Sequence, residues 1–181
     1  MLSEVKKEHN RKILKKITPQ RLKNIALYYL KRFETSEYHL RSVLKRRIDD
    51  YAYWNKEFDK TTAYNWLDEL INNFVRLGYI DDERFAEIKI RGYLSEAKSP
   101  RYILNKLKEK GIDEDLACKL LNEQEYDPFE SALRLAKKKK IGPYSKDKKL
   151  RKERRNKDMG ILIRAGFDYD IVLKVLEWCE D

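Results

Sequence analysis

Ser99-Pro100-Arg101-Tyr102-Ile103-Leu104-Asn105-Lys106-Leu107-Lys108-Glu109-Lys110-Gly111-Ile112-Asp113 reads as one complete helical unit. Ser99 supplies an N-cap oxygen and Pro100 a residue suited to the first helical position. Leu104 and Leu107 begin an apolar stripe, Gly111 stops the helix, and Asp113 opens the next one. The same register occurs as Leu40, Val43, Arg47, Ile48, Asp49 and again as Met159, Leu162, Gly166, Phe167, Asp168, with Arg47 standing where the other two copies have glycine. A short helical unit cannot bury its stripe alone, so repeats of this kind stack and share cores. The expected fold is all-α: three tandem three-helix repeats in an elongated, curved array.

Working outward, residues 1–17 form a basic N-terminal extension without a wide apolar stripe. Repeat 1 spans 18–80. Thr18-Pro19 caps its first helix, along which Leu22, Ile25, Ala26, Tyr29, Leu30 and Phe33 recur at helical spacing. Thr35 or Ser36 caps the second, which is expected to end near Asp49. An insertion over about 49–62, rich in Tyr51, Tyr53, Trp54 and Phe58, then precedes a third helix whose stripe from Trp66 to Leu77 reads as core and which ends at Gly78. Repeat 2 spans 81–124, opening at Asp81-Asp82-Glu83. Repeat 3 spans 125–181, opening at Asp127-Pro128 and carrying a basic segment over 137–157. Gly142-Pro143 breaks that segment, and a second helix is expected from about Asn156 to Ala165.

Charged residues make up 40% of the 181 residues, against 6 glycines and 4 prolines, which suits exposed helices joined by short turns. The net charge of +10 is local. Lys137, Lys138, Lys139, Lys140, Lys146, Lys148, Lys149, Arg151, Lys152, Arg154, Arg155 and Lys157 face only Asp147 and Glu153 in the same segment. Such density argues for phosphate contact over a passive solvated face, and all but Lys157 of these twelve are taken as the nucleic-acid-binding set. With Tyr144 as the segment's one aromatic residue, the expected mode tracks the backbone and depends on salt.

The remaining chemistry is sparse. Two cysteines, Cys118 and Cys179, and two histidines, His9 and His39, are scattered, so neither a metal site nor a disulfide framework is expected. No phosphate loop or nucleophile motif occurs, and the expectation is no cofactor and no catalysis. Asp81-Asp82-Glu83 is better explained as a helix cap than as metal ligands. Tyr51, Tyr53 and Trp54 are expected to pack the insertion onto repeat 1, with a partner anchor as the alternative. No stretch approaches eighteen apolar residues and no secretory leader precedes the first repeat, so the expectation is a cytoplasmic protein with no membrane partner.

Leu77-Gly78-Tyr79-Ile80-Asp81-Asp82-Glu83-Arg84-Phe85-Ala86, then Ser99-Pro100-Arg101 followed by Ile103, Leu107 and Lys110-Gly111-Ile112, and finally Arg164-Ala165-Gly166-Phe167 are similar to the RecX family of bacterial regulators of the recombinase RecA. The resemblance covers almost the whole chain. It implies a non-enzymatic protein that lodges in the groove of the RecA nucleoprotein filament and restrains its extension, ATP hydrolysis, strand exchange and co-protease function. Single- or double-stranded DNA is an implied second partner, and a monomer the expected state. Arg84, Arg91 and Arg101 lie in the stretch most like the family and are candidates for partner binding, with pairing to Glu87, Glu96 and other neighbours as the alternative. The rival reading is a helical-repeat protein acting mainly on DNA or RNA.

Overall fold

The computed structural model of the chain describes residues 15–146 and 148–178. Among them are nine α-helices, a 3-10 turn at Gly142–Tyr144 and no strand. The helices are α1 Pro19–Leu30, α2 Glu37–Trp54, α3 Lys60–Arg76, α4 Asp82–Ser95, α5 Pro100–Lys108, α6 Glu114–Asn122, α7 Pro128–Lys139, α8 Lys148–Arg164 and α9 Tyr169–Glu177. Of the basic extension assigned to residues 1–17, only Lys15, Lys16 and Ile17 lie within the described residues. No described helix is long and apolar enough to cross a membrane.

Side-chain oxygens start most of these helices. Thr18, Asp59, Asp81, Ser99, Asp113 and Asp127 accept the free amides of Arg21, Thr62, Arg84, Tyr102, Leu116 and Phe129 respectively. Each such cap contributes about 1 kcal/mol. Asp81-Asp82-Glu83 therefore serves as a cap, in two directions: Asp81 caps α4, while an Asp82 carboxylate oxygen accepts the Glu37 amide at 2.7 Å, at the first turn of α2.

The repeated helix endings share one geometry. Gly111 has φ +76°, its amide bonds the Lys108 carbonyl, and the Ile112 amide reaches back to Leu107. Gly166 and Phe167 do the same over Ile163 and Leu162, as do Gly78 and Tyr79 over Val75 and Phe74. In each case the residue after the left-handed one returns to the helix it has just left, the Schellman ending, and Ile112 and Phe167 are buried there. Ala97 and Lys140 take the same left-handed position without being glycine, at φ 59° and 55°.

Arg47 is where the pattern departs. The expected break near Asp49 is absent, because α2 runs on to Trp54, and the interruption shrinks from about 49–62 to the residues between Trp54 and Lys60. With no glycine to take the left-handed conformation, Arg47, Ile48 and Asp49 stay helical, and Ile48 is fully buried. Asp49 accordingly caps nothing. Its carboxylate accepts the Tyr64 hydroxyl and pairs with Lys60 at 2.6 Å, tying α2 to the start of α3. Burial alone would raise the Asp49 pKa, but the bonds from Lys60 and Tyr64 prevail and hold it below the usual 3.8.

Two compact units result among the described residues, divided within α2: 15–33 with 40–79, and 34–39 with the described residues from 80 to 178. In the first, Leu22, Leu40, Leu44, Ile48, Leu67, Ile71 and Phe74 are buried, whereas Leu77, expected in the core, is 58% exposed at the α3 C-cap. The second unit holds two cores. One joins Phe85, Ile90, Ile103, Leu107, Ile112 and Leu120 from α4 to α6; the other joins Leu133, Ile141, Leu162, Phe167, Val172 and Val175 from α7 to α9.

Two buried serines recur as a device within the second unit. Ser36 Oγ accepts the His39 amide and donates to the Lys110 carbonyl at 2.6 Å; Ser99 Oγ accepts the Tyr102 amide and donates to the Ala165 carbonyl at 2.7 Å. Both acceptors immediately precede a left-handed glycine, Gly111 or Gly166. A Cβ on Gly111 would stand 2.3 Å from Tyr38 Cβ, and one on Gly166 2.6 Å from Ser99 Oγ. The glycines are thus required twice over, by their φ and by the chain docked against them.

Candidate nucleic-acid and partner interface

The basic segment forms the end of α7, a turn and the beginning of α8. Lys137, Lys138 and Lys139 occupy the last turn of α7, where cations are favoured by the helix dipole, and Lys140 follows in the left-handed conformation. Lys137 extends its ammonium to 5.7 Å from the centre of the Tyr144 ring. The chain then dives: Ile141 and Gly142 are buried, and Gly142–Tyr144 turns it back toward α8.

One carboxylate and one guanidinium hold this turn. Asp158, 2% exposed on α8, accepts the Gly142 amide through Oδ2 at 2.9 Å. Arg151 donates through Nε to the Gly142 carbonyl at 2.9 Å and through Nη2 to the Pro143 carbonyl. These anchors explain why α8 begins at Lys148 and not at the expected Asn156, so most of the basic segment is helical. The same bonds occupy Arg151, and Arg155 pairs with Glu177 at 3.1 Å.

Lys137, Lys138, Lys139, Lys140, Lys146, Lys152, Arg154 and Lys157 remain exposed with no ion pair among the described residues. The side chains of Lys148 and Lys149, and Asp147 altogether, lie outside the described residues. The first turn of α8 contains no acidic residue to meet the positive end of its dipole. These eight exposed cations on consecutive elements repel one another with Glu153 as the one acidic residue described in the segment, and a polyanion would neutralise them.

Of the three arginines proposed for a partner, two are engaged within the chain. Arg84 on α4 donates through Nε to Glu34 at 2.9 Å and lies 3.9 Å from Asp81; Arg91 pairs with Glu87 one turn back at 3.4 Å. Glu96 pairs with Lys98 instead. Arg101 on α5 is exposed, with no ion pair among the described residues. Asp82 is half-buried at the same end of α4, and burial pushes its carboxyl up despite the Glu37 amide. Asp82 and Asp158 were not singled out as contacts from sequence. Their partners lie 45 and 16 residues away, and no local spacing announces them.

The family model for the RecX second three-helix domain matches residues 81–121, the span of α4 to α6. The Regulatory protein RecX of Myxococcus xanthus is 33% identical over 174 residues, covering 95% of this chain and 92% of that one. The chain belongs to the RecX family. Another RecX, that of Acinetobacter baylyi, is 28% identical over 176 residues and covers 96% and 98% of the two chains. The crystal structure of RecX from Lactobacillus salivarius superposes with a TM-score of 0.65 at 25% identity, over 88% of this chain and 94% of that one. Both RecX relatives are named regulatory proteins, and the all-helical repeat fold is common to the family structure and this chain.

Proposed function

We propose that this chain is a regulator of the RecA nucleoprotein filament, acting in recombination and DNA repair in the cytoplasm as a monomer. The observation that carries the reading is RecX similarity along nearly the whole chain at 33% identity, which makes a borrowed single module an inadequate explanation. Taken as three repeats over 18–80, 81–124 and 125–181, the protein contacts neighbouring recombinase subunits with its helical faces and meets phosphates with the exposed lysines and arginines of 137–157. Arg101 is the arginine of the three best placed for a protein partner, being exposed and unpaired among the described residues.

No catalytic group is needed for such a role. A protein that binds one filament conformation better than another shifts the population toward it, by as much as the two affinities differ. Restraint of extension, ATP hydrolysis, strand exchange and co-protease function, and of the SOS response with it, follows if the favoured state is the inactive or shortened one.

The ATPase rate of a preformed RecA filament on single-stranded DNA, titrated with this protein at two salt concentrations, tests the reading. Suppression well below one protein per recombinase, at a salt where bare-DNA binding is negligible, is expected. Suppression only once the DNA itself is saturated would leave the second reading, a helical-repeat protein acting on DNA or RNA, which the eight exposed cations favour.

A further inference from the structure

The first unit carries a groove of its own. It has a volume of about 930 Å³, inside the ~300–1,000 Å³ range of ligand clefts, and runs along α1 and α2. Four cations line it, Lys15, Lys16, Arg21 and Arg47, against the single carboxylate of Asp50, with the Tyr28 ring at its side. Arg47 is the residue that replaces the glycine of the other repeats. The substitution both lets α2 continue and places a guanidinium in the groove. Arg21 Nε is buried there without a hydrogen-bond partner, a donor in want of an acceptor.

The α2 register extends this face. Arg47, Asp50, Tyr51 and Trp54 follow at i, i+3, i+4 and i+7, so Trp54 lies on the groove side of the helix one turn further on. Trp54 and Tyr53 meet edge to face at 4.9 Å, yet are 62% and 64% exposed, contrary to the expectation that they pack inward. Lys56 stands 5.0 Å from the Tyr53 ring and Arg32 4.3 Å from the Tyr28 ring. Exposed aromatic rings with cations beside them suit a chain that presents phosphates and unpaired bases in turn. A duplex keeps its bases inside, and an acidic peptide lacks the regular succession of phosphate and ring. The chain's own residues 1–14 carry four cations and two acids, so their charge has the wrong sign.

We propose that this α1–α2 face is a second nucleic-acid site, taking a single strand with its phosphates on Lys15, Lys16, Arg21 and Arg47 and a base stacked on Trp54. It deepens the nucleic-acid part of the function proposed above and is independent of the basic segment.

The test uses the full chain with Lys137, Lys138, Lys139, Lys140, Lys146, Lys148, Lys149, Lys152, Arg154 and Lys157 all changed to Gln. Twelve-residue oligo(dT), oligo(rU) and a duplex of equal length are titrated at low salt, read by tryptophan emission and by anisotropy. Both single strands are expected to bind more tightly than the duplex and to quench emission, with the quench lost in Trp54→Phe. Adding Lys15→Gln, Lys16→Gln and Arg47→Gln should weaken binding at least tenfold and flatten the log–log salt slope by about 2, for three fewer phosphate contacts on a single strand. Absence of binding once the basic segment is silenced, or binding indifferent to the groove substitutions, overturns the proposal. Should the triple variant lose helicity, Lys15→Gln with Lys16→Gln, outside any helix, carries the same test. RecA filament ATPase is measured on each variant: loss of suppression with oligonucleotide binding intact counts against the filament reading alone.

Discussion

Gly78, Gly111 and Gly166 share a left-handed backbone and differ in what surrounds them. Nothing lies within 4 Å of a Cβ built on Gly78, whereas on Gly111 it meets the Tyr38 side chain and on Gly166 the Ser99 hydroxyl. Gly78→Ala should therefore lose only the conformational cost, about 1–2 kcal/mol. Gly111→Ala and Gly166→Ala should lose about 1–3 kcal/mol more, because the docked chain must shift. Urea midpoints at unchanged slope measure the difference, and three equal losses would show that the close approaches contribute nothing. All three glycines were recognisable from sequence, since each ends an apolar stripe before an apolar residue and an aspartate. Ala97 and Lys140 were not, because neither residue type signals a left-handed backbone and only the surrounding packing holds them there.

The helix ends are joined by side chains that serve two masters. Ser36 and Ser99 each cap their own helix and donate to a carbonyl in the turn that ends another, so Ser36→Ala and Ser99→Ala should each cost about 1–3 kcal/mol, combining a lost cap with a part-buried carbonyl left unpaired. Faster hydrogen exchange at the His39 or Tyr102 amide would localise the damage; unchanged exchange and stability would mean that the serines are passive. The Asp49 contact between α2 and α3 answers to pH. Its carboxyl titrates below 3.8 in the folded chain, so the unfolded state takes up the proton first as acid is added. The resulting stability is fully present above 3.8 and is lost as pH falls through the lower folded value. Asp49→Asn should flatten the acid limb of the stability profile below 3.8, and an unaltered limb would place the acid sensitivity elsewhere. The caps of α1, α5, α6 and α7 were legible because cap and amide are two or three residues apart. The continuation of α2 was missed because Ile48 and Asp49 match the repeat register while Arg47 does not, and in a helix the single incompatible residue decides.

Across the molecule, charge divides into cations that build and cations that remain available. Arg151 secures the Gly142–Pro143 turn and Arg155 reaches Glu177, while Lys138, Lys139, Lys140, Lys152, Arg154 and Lys157 stay at the surface. Neutralising those six should leave helicity intact and reduce the salt slope of duplex DNA binding by about 5 if all contact phosphates. Arg151→Gln should instead lower thermal stability with a much smaller change in slope. If Arg151→Gln weakens DNA binding as much as the sixfold change while stability holds, the division between building and binding cations is wrong.

By itself the sequence determined what is local: a helical class from periodicity, helix starts and stops from Ser, Thr, Asp, Pro and Gly, the concentration of positive charge, and the motifs shared with RecX. Each of these is satisfied within one or two turns, so composition and spacing carry it. Only the tertiary structure decided which carbonyl lies beneath Ser36, 74 residues before its acceptor, and that Asp82 caps α2 while Arg151 is consumed in a turn. Such pairings depend on which surfaces the packed cores bring together, and a donor's place along the chain does not say what burial will set in front of it.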